Sequence, residues 1–275
     1  MRNKRRYGIL TPYSVIVLVI LAVMAPFYAA TGCSSQDDAD AALTDDPVAM
    51  YQKAIQDASV VTPDKVSKNL TSLDEYATEL TWEGTPGKSR VLVVTWTNKT
   101  YYDDYVGKDY VMVKNAWITV CPELKTWYNQ QGYSAGEFPS LRIEQVLGLP
   151  PYTGKTKFVE FWAQPDDLFR PSPDPEINDH EADVDFPNSR FLVFDTSVKI
   201  KDDDDDQYYT YPDWFNNLMQ KSYTGENAHP WTRLGYTYDW GSDTNNHIGL
   251  SEYVLVSGAT VKVKDIVLNE DYFKN

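Results

Sequence analysis

Acid/base chemistry at neutral pH would begin with histidine, whose ordinary pKa lies there, and the chain has three, His180, His229 and His247. General acid/base work would recruit His180, His229 or His247 with a carboxylate such as Asp174, Glu176 or Asp239 and a cation such as Arg170 or Arg233. Residues 229–240, HPWTRLGYTYDW, have the mix of a polar pocket: rings for walls, Arg233 for an anion, Asp239 for orientation. The same run suits a strand that packs its aromatics into the core. Read as extended, residues 179–186 put His180, Ala182, Val184 and Phe186 on one face, which makes His180 a group of the buried side. The other face carries Asp179, Glu181, Asp183 and Asp185, roughly 7 Å apart in successive pairs. Asp174 and Glu176 lie just before them and no Lys or Arg occurs between Pro171 and Ser189, so these six uncompensated acids, the four on one face foremost, are the candidate ligands of a Ca²⁺ ion, which takes oxygen donors in irregular geometry. The ordered spacing of an EF-hand loop is absent, and a solvated acidic loop is the competing reading.

Other chemistry is sparser. Cys121 closes an apolar run and permits a Cys–His nucleophile on paper, but WITVC reads as core, where cysteine is inert. Residues 202–206 are five consecutive aspartates, which repel one another and read as a mobile surface loop. There is no Gly-rich phosphate loop, G-x-S-x-G elbow or H-E-x-x-H pair. Histidines spaced 49 and 18 residues apart make a poor zinc site.

The elements that must position these groups are legible by period. Asp45 or Asp46 caps a helix that starts at Pro47, with Met50, Tyr51, Ala54, Ile55 and Ala58 at helical spacing. A short helix is expected near residues 64–70. Strands are expected at 79–83 and 90–97 around a Gly-Thr-Pro-Gly turn, with Val91 to Val94 covered on both faces. Further strands are expected at 110–113, 116–120, 157–163 and 191–194, and short helices from Pro122 and Ser140. A helix over 212–221 follows, then an extended run 233–240 with Leu234, Tyr236, Tyr238 and Trp240 on one face. Residues 252–256 and 260–267 flank Ser257-Gly258-Ala259 as a β-hairpin. Strands and short helices mix without βαβ alternation, so the fold class is α+β around a largely antiparallel sheet, with residues 47–275 as a single domain.

The N-terminus has a basic start (Arg2, Lys4, Arg5, Arg6), an apolar run from Val15 to Met24 and small residues up to Cys33. That is the layout of a secretory signal peptide, here residues 1–32. The run Ala30-Thr31-Gly32-Cys33 resembles the lipobox of bacterial lipoproteins, with Ala30 where that family most often has Leu. The resemblance implies cleavage before Cys33, a lipid such as palmitate on the modified cysteine, and a place at the bacterial cell envelope, anchored to the membrane outside the cytoplasm. The competing reading of the apolar stretch from Val15 through Ala30 is an uncleaved transmembrane anchor. Residues 33–46 are then an acidic tether.

The whole chain carries a net charge of −15. Removing residues 1–32 takes four of the 25 Lys and Arg and none of the 40 Asp and Glu, which leaves −19. Such a charge argues against nucleic acid as a partner. Aromatics are 14% of the residues, with 20 Tyr and 8 Trp. They serve an exported domain without disulfides either as core or as the walls of a binding site. The reading that follows is an exported, lipid-anchored protein whose domain binds an extracellular glycan or peptide. The alternatives are an extracytoplasmic hydrolase with a His/carboxylate pair and a structural envelope component.

Overall fold

The computed structural model describes residues 46–134, 136–186, 199–242 and 246–274. Cys33, the signal peptide, all but the last residue of the tether and the expected strand at 191–194 lie outside them. The first helix, α1 (Pro47–Ala58), forms as its local code demands. Asp46 caps it by accepting from the Val48 N–H, and Pro47 takes the first turn, where its missing N–H costs nothing. Tyr51, Ala54, Ile55 and Ala58 are buried, and they pack against Tyr238 and Trp240. The expected helix at 64–70 is only a 3-10 turn, Pro63–Lys65.

The main sheet has seven strands: β1 (Val91–Thr97), β2 (Asp109–Val111), β3 (Ala116–Val120), β4 (Lys157–Ala163), β5 (Leu168–Phe169), β10 (Tyr253–Leu255) and β11 (Thr260–Leu268). Their order is β2-β11-β4-β1-β3-β10-β5 and every pairing is antiparallel. Two small ribbons complete the strands, β6 (Lys199–Lys201) with β7 (Tyr208–Thr210), and β8 (Tyr236–Tyr238) with β9 (Ile248–Ser251). The α+β expectation is met. β1 is central and covered on both faces, with Val91 and Val93 in one core and Leu92 and Val94 in another. The strand expected at 79–83 is reduced to one bridge, Trp82 to Val91.

The expected hairpin at 252–267 does not form. β10 and β11 do not pair; each pairs with a segment of residues 109–118. Val111 faces Thr260, Ala116 faces Leu255, and four residues separate these pairs on either chain. Register is therefore kept through the gap. Across it the Met112 N–H donates to Ala259 and the Gly258 N–H to the Met112 carbonyl. Residues 109–120 and 253–268 thus make one long bent ribbon. In the strand order, however, β11, β4 and β1 stand between β2 and β3. A flat sheet would separate them by roughly 19 Å, beyond the roughly 17 Å reach of the link. The sheet must curl, and its two ends meet through the ribbon. The inside of the curl is the largest core, with Val93, Phe161, Ile118, Tyr253 and Val261 drawn from five strands.

Helices cover the outer face. α2 (Glu123–Gln130), α3 (Ser140–Val146) and α5 (Asn269–Tyr272) cover β1 and β4, where Phe158 stacks on Tyr272 at 4.0 Å. Burying such a ring contributes roughly 2–3 kcal/mol. α4 (Tyr211–Ser222) puts Tyr211, Trp214 and Phe215 over Phe169 and Val254. The aspartate run is an ordered turn between β6 and β7, not a mobile loop. Asp202 and Asp204 pair with Lys221, Asp206 pairs with Lys201, and Asp205 accepts from the Tyr209 hydroxyl.

Candidate functional site

The histidines, the acid and the arginines singled out as catalytic do not form one group. Among the described residues no hydrogen bond or ion pair joins any two of His180, His229, Arg233, Asp239 and Arg170. Arg170 is fully buried just after β5. It donates to the Asp179 carboxylate, to the Glu181 carbonyl at 2.7 Å and to the Asp179 carbonyl at 2.8 Å. Its methylenes lie against Gly235, where an added Cβ would stand 2.4 Å from Cδ. Arg170 is a clasp for residues 170–181 and is closed to a ligand. His180, expected on the buried side, is exposed, and its Nδ1 lies 2.7 Å from the Leu70 carbonyl. The alternation holds for Ala182, Val184 and Phe186 but breaks at His180, because the Arg170 clasp turns Asp179 inward.

Arg233 has φ +59° and reaches the Ser59 carbonyl at 2.7 Å, with Tyr223 under its guanidinium. Asp239 is buried and holds Arg142 through two bonds of 2.7 and 2.6 Å. Arg142 is a partner that the sequence did not indicate. It ties α3 to the end of β8. His247 stacks on Tyr238 and meets the Asp239 carbonyl at 3.0 Å.

The expected Ca²⁺ ligands converge only in part. Asp179 is held by Arg170, Glu181 pairs with Lys68, and Asp183 and Asp185 are exposed. The acids that do meet are Asp174, Glu176 and Asp179, with oxygens within 4.8 Å of one another. Burial raises the carboxyls of Asp174 and Glu176, and neighbouring acids add to that rise in both. Arg170 already supplies this cluster with a cation. Cys121 is buried, and desolvation pushes its thiol up to about 12, which fits the inert reading.

The feature with binding geometry lies elsewhere. A cleft of about 430 Å³ opens between β1 and β3 where the two strands part, bounded by residues 147–150 and 229–231; this size suits a small ligand. Trp96, Phe158 and Trp231 are buried at its base, whereas Trp117 is half-buried and Tyr101 exposed. His229 is the predicted residue that lines it. Its ring meets Trp117 edge-on at 6.4 Å, and burial lowers its pKa.

Glu252 also lines the cleft. Its side chain has no hydrogen bond or ion pair among the described residues. It keeps some exposed area, and desolvation by the surrounding protein pushes its carboxyl up to about 8. The β10–β3 register sets residue 252 opposite Thr119, which is buried and also lines the cleft. Glu252 was read only as the start of a strand. Its one signal is an acid in step with Val254, on the outer face of the strand that α4 covers. A second raised carboxyl, Glu123, sits at about 7 because of burial and accepts from the Ser251 N–H.

No family model, curated protein or solved structure matches the chain. Among the described residues no helix is long and apolar enough to cross a membrane.

Proposed function

We propose that the chain is an extracytoplasmic binding domain, held to the bacterial envelope by lipid on Cys33, whose ligand, a glycan or peptide, lies in the cleft between β1 and β3. One observation carries the reading: accessible rings of Tyr101 and Trp117 stand over a cavity that contains a carboxyl with no protein partner. Flat aromatic faces with a few convergent polar groups are the usual make-up of such sites. A buried polar group without a partner is costly, and a ligand hydroxyl or amide would relieve that cost. The hydrolase alternative needs a histidine on a carboxylate. The three histidines instead meet the carbonyls of Leu70, Asn227 and Asp239.

The test is a binding screen of the full chain against glycans and peptides, read by melting temperature and tryptophan fluorescence. A ligand of the folded state raises the melting temperature by mass action. Trp117→Ala and Glu252→Gln are each expected to weaken that ligand by about tenfold or more, a loss of about 1.4 kcal/mol, while the variants stay folded. A ligand that binds both variants as tightly as the parent sits elsewhere, and a screen with no ligand at all removes the reading.

A further inference from the structure

The charges on the cleft narrow the ligand class, given the proposed binding role. Its charged lining side chains are Lys99, Lys114 and Lys155, with Glu252 as the single acid. In a chain with 15 more acids than bases, lysines normally find carboxylates. These three form no ion pair among the described residues. Lys114 reaches the Asp203 carbonyl at 3.3 Å and its charge acts on the carboxyls of Asp203 and Asp206, whereas Lys155 reaches only the Trp96 carbonyl at 2.9 Å. Each ammonium has three protons to donate, so donors remain free. Burial lowers the pKa of the half-buried Lys155, and the charge of Lys99 lowers it further while Glu144 opposes this. An anion between the two lysines would remove that repulsion and satisfy the free donors.

β1 pairs with β4 along its whole length but with β3 only through Val93 and Val94, and the cleft opens where the two strands part, beside Thr95 to Thr97 and Ala116 to Ile118. What it presents is ring faces and hydroxyls, with Tyr101 and Trp117 above Thr95 and Thr119. Those suit the apolar face and the hydroxyls of a sugar.

We propose that the ligand is an acidic oligosaccharide, its rings on Tyr101 and Trp117 and a uronate carboxylate between Lys99 and Lys155. Glu252, mostly protonated at neutral pH, adds little negative charge to oppose it.

The experiment is calorimetric titration of the full chain with trigalacturonate, with its fully methyl-esterified form and with a neutral galactotriose, plus an acidic tripeptide. The acid is expected to bind at least about tenfold tighter than the ester and to weaken with added salt, as an ionic contact does. The double variant Lys99→Gln, Lys155→Gln should lose that preference and keep the affinity for the ester. Equal binding of acid and ester by the parent overturns the inference and leaves a glycan cleft standing, and this arm decides even if the variant fails to fold. Binding of the tripeptide alone also overturns it while leaving a binding cleft. Binding of none of the four overturns it and, when the wider screen is also blank, overturns the binding role too.

Discussion

Burial holds the Glu252 carboxyl at about 8, far above an ordinary glutamate, so the folded chain keeps a proton that the unfolded chain releases. Stability from this group is complete below the unfolded pKa of about 4.5 and is lost as the pH rises through about 8. Glu123, raised to about 7, acts in the same direction over a narrower window. Glu252→Gln carries no proton to lose. It is expected to be more stable than the parent at about pH 8.5, by on the order of 2 kcal/mol, with the gap closing toward about pH 5. Chemical denaturation at both pH values measures this, and a gap that does not change with pH would mean a solvated carboxyl. Almost nothing in the sequence pointed to this residue. Its chemistry comes from rings and strands brought around it from distant segments, whereas Asp179, Glu181, Asp183 and Asp185 looked richer because their charges are adjacent. Lys68 and Arg170, one of them from a remote segment, pair with the first two.

Elements whose signal is local were legible. The cap of α1 needs only Asp46 and Pro47, and β3 and β4 have the bounds that their apolar runs indicate. What joins the elements was not. Arg142 on α3 holds Asp239 beyond β8, and no periodicity relates two residues 97 positions apart. Because Asp239 is buried, Arg142→Ala leaves a carboxylate without its cation and is expected to cost about 3 kcal/mol. Asp239→Asn, which removes the charge itself, should cost less. Urea denaturation of both variants gives the comparison, and equal losses would show that the pair acts through packing alone. The hairpin signal at Ser257-Gly258-Ala259 failed for the same reason. The turn residues are real, with Gly258 at φ +90°, but they bend a ribbon whose other strand is residues 109–118.

Over the whole molecule, that ribbon makes the curled sheet a single object, since each of its strands serves both ends of the curl. One residue inserted between Lys114 and Asn115 would shift β2 against β3 and send either Tyr110 or Ile118 to the wrong face. Such an insertion is expected to unfold the chain at temperatures where one residue added in the turn at Asp204 is tolerated, and circular dichroism melts of the two variants decide it. Equal tolerance would mean that the bend absorbs the extra residue. The ribbon also fixes when the fold can close. The partner of residues 109–118 is made about 140 residues later, which at ribosomal speed is roughly 10–30 s of synthesis. Until then β1 and β3, joined part-way by β4, lack the strands that cover Val93, Ile118 and Phe161 in the finished core. A nascent chain of this design therefore depends on something else to shield those faces until its last long strand arrives.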